Sequence, residues 1–312
     1  MYENMEMRQV FGEALDKLME KDERIVVIDA DLAKANGTFN LRDKYPERAL
    51  DVGVSEQNMA SIAAGMASYG FIPFICTFTP FATRRICDQI TISIKYAGRN
   101  VKIVGTDPGI SAEMNGGTHM SMEDIGVLRS IPGMVIFEPV DAVQLVKALP
   151  KIIEHDGAIY IRMFRKSTPE IFKEDYEFDL FKADILREGR DVSVFASGIM
   201  VKEALEAAEM LKADKIDAEI INIHTIKPID AEAVVASARK TGAVVTCENH
   251  NVIGGLRSAV AEVLIEEHPV PLRSIGIKDH FGEVAKIDYL KKKYKMTAAD
   301  IVNAVKEAVS LK

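Results

Sequence analysis

The sequence has 312 residues, of which 48% are hydrophobic and 28% charged, with a formal net charge of −8 at pH 7. That length exceeds what one hydrophobic core usually sustains, so two domains are expected, and the composition is that of a globular chain. The negative balance excludes general nucleic-acid binding, which draws its affinity from neutralising phosphates, while leaving room for a local basic pocket that grips one small anion.

In chain order, the hydrophobic periodicity predicts a helix over 7–20, a strand over 24–29, a helix over 55–69, a strand over 73–78 and a helix over 80–97. Strands at 101–105, 134–138 and 158–162 follow, separated by helices at 121–130 and 140–154. Short β-branched runs alternating with helical segments are the pattern of a mostly parallel sheet covered on both faces, and these βα units fit one doubly wound domain over residues 1–165. Residues 166–190 lose the rhythm: Lys166-Ser167-Thr168-Pro169 leads into an acidic and aromatic stretch, which reads as a connector. A second βα series fills residues 191–312, with strands at 192–196, 218–223, 243–248 and 271–277 and helices at 199–212, 230–240, 254–267 and 297–310. The expected fold class is α/β, two doubly wound domains without internal repeats.

The longest apolar stretches, such as 61–66 and 72–75, fall well short of a bilayer-spanning helix, so no membrane association is expected. Glu3 and Glu6 precede the first helix where an export signal carries basic residues, and no apolar leader follows. Three cysteines, Cys76, Cys87 and Cys247, have no metal-ligand spacing and lie among apolar neighbours, as reduced thiols of a cytoplasmic protein do.

The stretch from Asp51 to Ala60, Asp-Val-Gly-Val-Ser-Glu-Gln-Asn-Met-Ala, runs into a helix rich in Ala and Gly, so another backbone can approach it closely. Glu56 opens that helix. Spacing alone leaves two roles open, a helix-start charge held by the dipole, which is the commoner case, and a working acid. Phe78 and Phe81, three residues apart after a strand, fit either core packing or a stacking wall. Glycines at 105, 109, 116 and 117 mark a loop at the carboxyl edge of the sheet, where open α/β folds place ligands; it carries Asn115, Thr118 and His119. Arg8, Arg162 and Arg165 are candidate anion forks, because a guanidinium holds a phosphate through two parallel hydrogen bonds. Gly254-Gly255 at a helix start offers backbone N–H groups to an anion.

These motifs together resemble the pyrimidine-binding and C-terminal domains of transketolases. The resemblance covers essentially the whole chain. It implies that Glu56 hydrogen-bonds N1′ of the aminopyrimidine ring of thiamine diphosphate, with Phe81 stacking on that ring, Phe78 beside it and Asp31 also at the cofactor. It implies that His119, in a Gly-x-Thr-His motif, reaches donor-sugar hydroxyls and that Arg8 and Arg165 anchor the substrate phosphate. The sequence departs from the family pattern at four places: Asn115 replaces an Asp, Asp107 a His, Ala35 a Ser and Arg84 an aromatic residue. Lys34, next to Ala35, is a further cation for the anion. Glu248-Asn249-His250 resembles a segment of the family's C-terminal domain, where it serves the scaffold.

No Gly-Asp-Gly occurs in the chain, whereas the family holds Mg²⁺ and diphosphate with that motif. The resemblance therefore implies a separate N-terminal subunit that binds Mg²⁺ and shares the cofactor, and a heterotetramer. The leading expectation is a transketolase that moves a two-carbon ketol unit from a ketose phosphate to an aldose. Alternatives are the beta subunit of a 2-oxo-acid dehydrogenase, a 1-deoxyxylulose-5-phosphate synthase-like enzyme, and a non-catalytic scaffold subunit.

Overall fold

A computed structural model describes Tyr2 and residues 5–312; Met1 and Glu3, part of the reading of the N-terminal segment, lie outside the described residues. The chain forms two compact units, residues 1–108 with 127–180 and residues 109–126 with 181–312.

In the first unit, six strands lie in the order β5-β6-β4-β3-β1-β2, with β1 Ile25–Asp29, β2 Ala49–Asp51, β3 Ile72–Phe78, β4 Lys102–Thr106, β5 Val135–Phe137 and β6 Ile159–Met163. Every pairing among them is parallel, with Val27 opposite Phe74 and Cys76 opposite Val104. Strands β1, β4, β5 and β6 are buried along their whole length, as expected of parallel strands covered on both faces. Helices α1 (Met7–Met19) and α7 (Ala142–Glu154) pack together on one face, their apolar stripes closing a core that includes Phe11, Leu15, Phe74, Phe137, Leu145 and Ile161. Between them in sequence lie two four-residue helices, α2 (Ala33–Asn36) and α3 (Leu41–Lys44), then α4 (Glu56–Ser68), α5 (Thr79–Ala82) and α6 (Asp124–Arg129). Asp141 caps α7 and ties the following segment to it: its carboxylate accepts from Gln144 N at 2.8 Å, Ile171 N at 2.7 Å and Phe172 N at 2.8 Å. A β-carbon on Gly12 of α1 would collide with the Gly37 carbonyl oxygen, and one on Gly37, at φ +83°, with the Arg8 carbonyl oxygen. Two glycines thus let α1 sit directly against the turn that follows α2.

The single helix predicted over 80–97 is a correction. α5 ends at Thr83, whose φ −128° and ψ −87° are not helical; a 3₁₀ turn spans Arg84–Ile86 and a π-helix Gln89–Tyr96. Threonines and isoleucines crowd this stretch and disfavour a regular α-helix, and Thr83 Oγ1 donates to Thr79 O at 2.7 Å, turning the chain early.

The second unit has a five-stranded sheet, β12-β11-β8-β9-β7, from β7 Asp184–Arg187, β8 Val192–Ala196, β9 Ala218–Asn222, β11 Val244–Asn251 and β12 Leu272–Ile277; β10 is the short Thr225–Lys227. β7, which the periodicity did not predict, pairs antiparallel with β9, and the other pairings are parallel. Its four residues are partly exposed at the sheet edge, too short and too polar to stand out from the connector. Helices α8 (Met200–Leu211), α9 (Ala231–Thr241), α10 (Leu256–Glu267), α11 (Ile287–Lys293) and α12 (Ala298–Val309) complete the unit. Among the described residues no helix is long and apolar enough to cross a membrane.

Candidate active site

At the carboxyl edge of the sheet, where open parallel sheets bind ligands, the first unit brings together four of the predicted side chains, Glu56, Phe78, Phe81 and Arg165. Glu56 is the first residue of α4 and only 4% exposed. Its Oε1 accepts from Arg85 Nη1 at 2.6 Å. The Arg85 guanidinium carbon in turn lies 3.7 Å from the centroid of the Phe81 ring, a stacked cation–π contact. Phe81 and Phe78 face each other with centroids 6.2 Å apart at 49°. The Arg165 guanidinium carbon sits 4.9 Å from the Phe78 ring centroid. Glu56, Arg85, Phe81, Phe78 and Arg165 therefore form one continuous line of contacts.

Arg165 follows β6 and is ion-paired with Asp107, which follows β4 in a left-handed conformation at φ +54°. Burial pushes the Asp107 carboxyl up, and the Arg165 guanidinium pulls it back. Arg8 lies next to Arg165 along the backbone: its N–H donates to Arg165 O at 3.1 Å, while its guanidinium pairs with Glu6 at 2.6 Å. Arg8, Lys34, Lys44, Glu13 and Asp16 line a cavity of about 440 Å³, and the Lys34 ammonium rests 4.9 Å from the Phe39 ring centroid. Arg162, a further phosphate candidate, is removed from that role by the fold: it is fully buried and bonded to Glu138 at 2.6 Å.

Asp31 stands exposed in the turn after β1, at φ +59°, with its N–H donating to Asp51 Oδ1 at 3.0 Å. Beneath it lies a network that sequence reasoning missed. Asp29 accepts from Asn36 Nδ2 at 2.9 Å and Thr38 Oγ1 at 2.7 Å, and Asn36 Oδ1 accepts from Thr106 Oγ1 at 3.0 Å. Burial raises the Asp29 carboxyl to about 6 in spite of those donors. The network joins the ends of β1 and β4 and fixes the loops that leave them.

Asn115 and His119 lie on the segment 109–126, which belongs to the second unit. Asn115 is exposed, and His119 Nδ1 is 2.8 Å from Thr118 Oγ1. The segment is pinned: Ile110 N donates to Asn249 Oδ1 at 3.0 Å, Ile287 N to Glu113 Oε1 at 3.1 Å, and Asn251 N to Met122 O at 2.8 Å. A β-carbon on Gly116, at φ +73°, would press into Val284. The helix start at Gly254-Gly255 is not an open anion site, a second correction. Glu248 occupies it, accepting from Leu256 N at 2.6 Å and Arg257 N at 3.0 Å. His250 is fully buried there, its Nδ1 2.6 Å from Asn251 O, in keeping with a scaffold role.

Arg85 was also missed. Its signal was present as a cation four residues after Phe81, but the broken helix hides the spacing that would put the two on one face.

Comparison with known proteins gives concordant matches. Residues 3–170 match the family model described as transketolase, pyrimidine binding domain, and residues 181–301 that of the transketolase C-terminal domain. The chain is 55% identical over 306 residues, 98% of its own length and 95% of the relative's, to the 6-deoxy-6-sulfo-D-fructose transketolase subunit SqwH of Clostridium sp. (strain MSTE9). It is 36% identical to one of the subunits of the apulose-4-phosphate transketolase of Phocaeicola vulgatus, covering 87% of each. Among solved structures, a chain titled split gene transketolase, inactive beta4 tetramer, superposes with a TM-score of 0.91 at 44% identity, with 98% of this chain and 99% of that one covered.

Proposed function

The chain belongs to the transketolase family, and from that premise we infer that it is the C-terminal subunit of a split transketolase whose thiamine diphosphate site is completed by a separate N-terminal subunit. The observation that carries this reading is Glu56, a buried carboxyl at a helix start, joined through one guanidinium to the face of an aromatic ring at the carboxyl edge of a parallel sheet. These residues fit a flat, nitrogen-bearing ring: a carboxyl for an in-plane nitrogen and Phe81 for the ring face.

In this account Glu56 holds and returns a proton at N1′ of the aminopyrimidine, Phe81 and Phe78 keep water off the ring, and Asp31 borders the cofactor. When bound, the cofactor supplies a carbon nucleophile that takes a two-carbon ketol unit from a ketose and delivers it to an aldose. His119 and Asn115 contact donor hydroxyls, and Arg8 and Arg165, with Lys34 beside them, hold the anionic end of the sugar. The partner brings the Gly-Asp-Gly motif and Mg²⁺, and two copies of each subunit make a heterotetramer. The relative titled an inactive beta4 tetramer supports the need for that partner. Cys76 and Cys247, buried free thiols, support a cytoplasmic setting.

Two relatives are named for sugars with an anionic group, one a sulfonate and one a phosphate. Asp107, paired with Arg165 where the family carries a neutral or cationic side chain, cancels one positive charge and favours a singly charged head group. The donor of choice is thus a ketose bearing a terminal sulfonate, with a ketose phosphate second.

The test is to mix the chain with its N-terminal subunit, thiamine diphosphate and Mg²⁺, and offer 6-deoxy-6-sulfofructose, fructose 6-phosphate and xylulose 5-phosphate with an aldose acceptor. Glu56→Ala is expected to lower kcat by at least about 100-fold, the scale of a lost proton-transfer group. Equal activity in the two mixtures would leave a scaffold subunit, and turnover of pyruvate with a lipoyl acceptor a dehydrogenase subunit.

A further inference from the structure

Arg85 holds the two surfaces that the reading above assigns to the cofactor's ring. Its Nη1 donates to Glu56 Oε1 at 2.6 Å and its guanidinium lies 3.7 Å from the Phe81 centroid. A guanidinium is planar and delocalised, with N–H donors in its plane and a face that stacks on aromatic rings. To a carboxylate and a phenyl ring it therefore presents what an aminopyrimidine protonated at N1′ presents: an in-plane N–H for the carboxylate and a flat π-surface for the ring. The two partners differ in burial. The Glu56 side chain is 5% exposed and that of Arg85 42%, so the carboxyl is fixed in the protein while the cation reaches it from solvent. Gln57 Nε2 donates to the Arg85 carbonyl at 3.3 Å, a contact that does not depend on where the side chain points.

We propose that Arg85 is a placeholder for the aminopyrimidine ring, seated on Glu56 and Phe81 until the cofactor displaces it. The physical need is plain. A buried carboxylate with no donor is costly, and the subunit must fold and persist before its partner and cofactor arrive. Arg85 satisfies the acid and keeps Phe81 turned to receive a ring. The consequence is competition: the cofactor binds only to the fraction of molecules in which Arg85 has swung away, and its apparent affinity is lowered by that fraction. Arg85 is thus a positioning residue that acts through Glu56, and the inference rests on the assignment of Glu56 and Phe81 to the cofactor.

The experiment measures the Kd of thiamine diphosphate by calorimetry, with Mg²⁺ present, in the assembly reconstituted from this chain and its N-terminal subunit, and the melting temperature of this chain alone. Arg85→Met keeps the length of the side chain and removes its donors and charge; Arg85→Lys keeps the charge without the plane. In Arg85→Met, thiamine diphosphate is expected to bind roughly tenfold tighter while the chain alone melts at a lower temperature, the two readouts moving in opposite senses. Arg85→Lys falls between it and the wild type, and serves if the methionine variant does not fold. A Kd that is unchanged or weaker in both variants would overturn the placeholder, since a merely structural residue loses stability and affinity together. No binding to the wild-type assembly would overturn the assignment of the site itself, and the placeholder with it.

Discussion

At the residue scale, the proposed choice of head group rests on the ion pair of Asp107 with Arg165. Asp107 is 3% exposed and set in a left-handed turn, so its pairing with Arg165 is built into the backbone rather than chosen by a mobile side chain. Asp107→Asn keeps the shape and restores a full positive charge at Arg165. The expected outcome is a shift of kcat/KM by about tenfold toward phosphate over sulfonate donors, read from parallel assays on fructose 6-phosphate and 6-deoxy-6-sulfofructose. An unchanged ratio would remove Asp107 from the choice of head group. Glu56, Phe78, Phe81 and Arg165 were legible in the sequence as residue types at spacings that match a family pattern. Arg85 and the Asp29 network were not, because they depend on which side chains a broken helix and two turns bring together, and periodicity carries no information on that.

At the scale of elements, the site is as firm as the segments that end in it. Asp141 holds the start of α7 and the chain after β6 with one carboxylate. Asp141→Ala leaves buried N–H groups unsatisfied at a helix start and in the following loop, and is expected to cost roughly 2 to 4 kcal/mol in urea unfolding. A loss under about 0.5 kcal/mol, the range of neutral surface changes, would contradict that role. Gly12→Ala forces α1 away from the turn at Gly37 and is expected to cost about 1 to 3 kcal/mol, with the KM for the anionic donor rising because Arg8 moves with α1. The long elements α1, α4, α7 and the buried strands were legible from period and burial. The three pieces over 79–96 and the edge strand β7 were not: the first is broken by local threonine hydrogen bonding, and the second is short and half polar.

For the whole molecule, stability and assembly carry the remaining expectations. Lys102 is fully buried, its ammonium donating to His155 O at 2.8 Å and Gly157 O at 2.9 Å, and burial pushes it down from 10.5 to about 7. With the folded value depressed, the unfolded chain binds more protons between those two values, so stability rises with pH across that window and is lost as pH falls through about 7. Urea midpoints at pH 7 and 9 are expected to show this rise, at most about 1.4 kcal/mol per pH unit, and Lys102→Met to flatten it. The α/β class was legible from the alternation of elements. The grouping of residues 109–126 with the second unit was not, since no boundary in composition marks it. The most direct test of the account is a structure of this chain assembled with its N-terminal subunit and thiamine diphosphate. The account predicts the Glu56 carboxyl within hydrogen-bond distance of N1′, the ring against Phe81 and Arg85 turned away. A cofactor ring seated elsewhere, with Glu56 still bonded to Arg85, would contradict it.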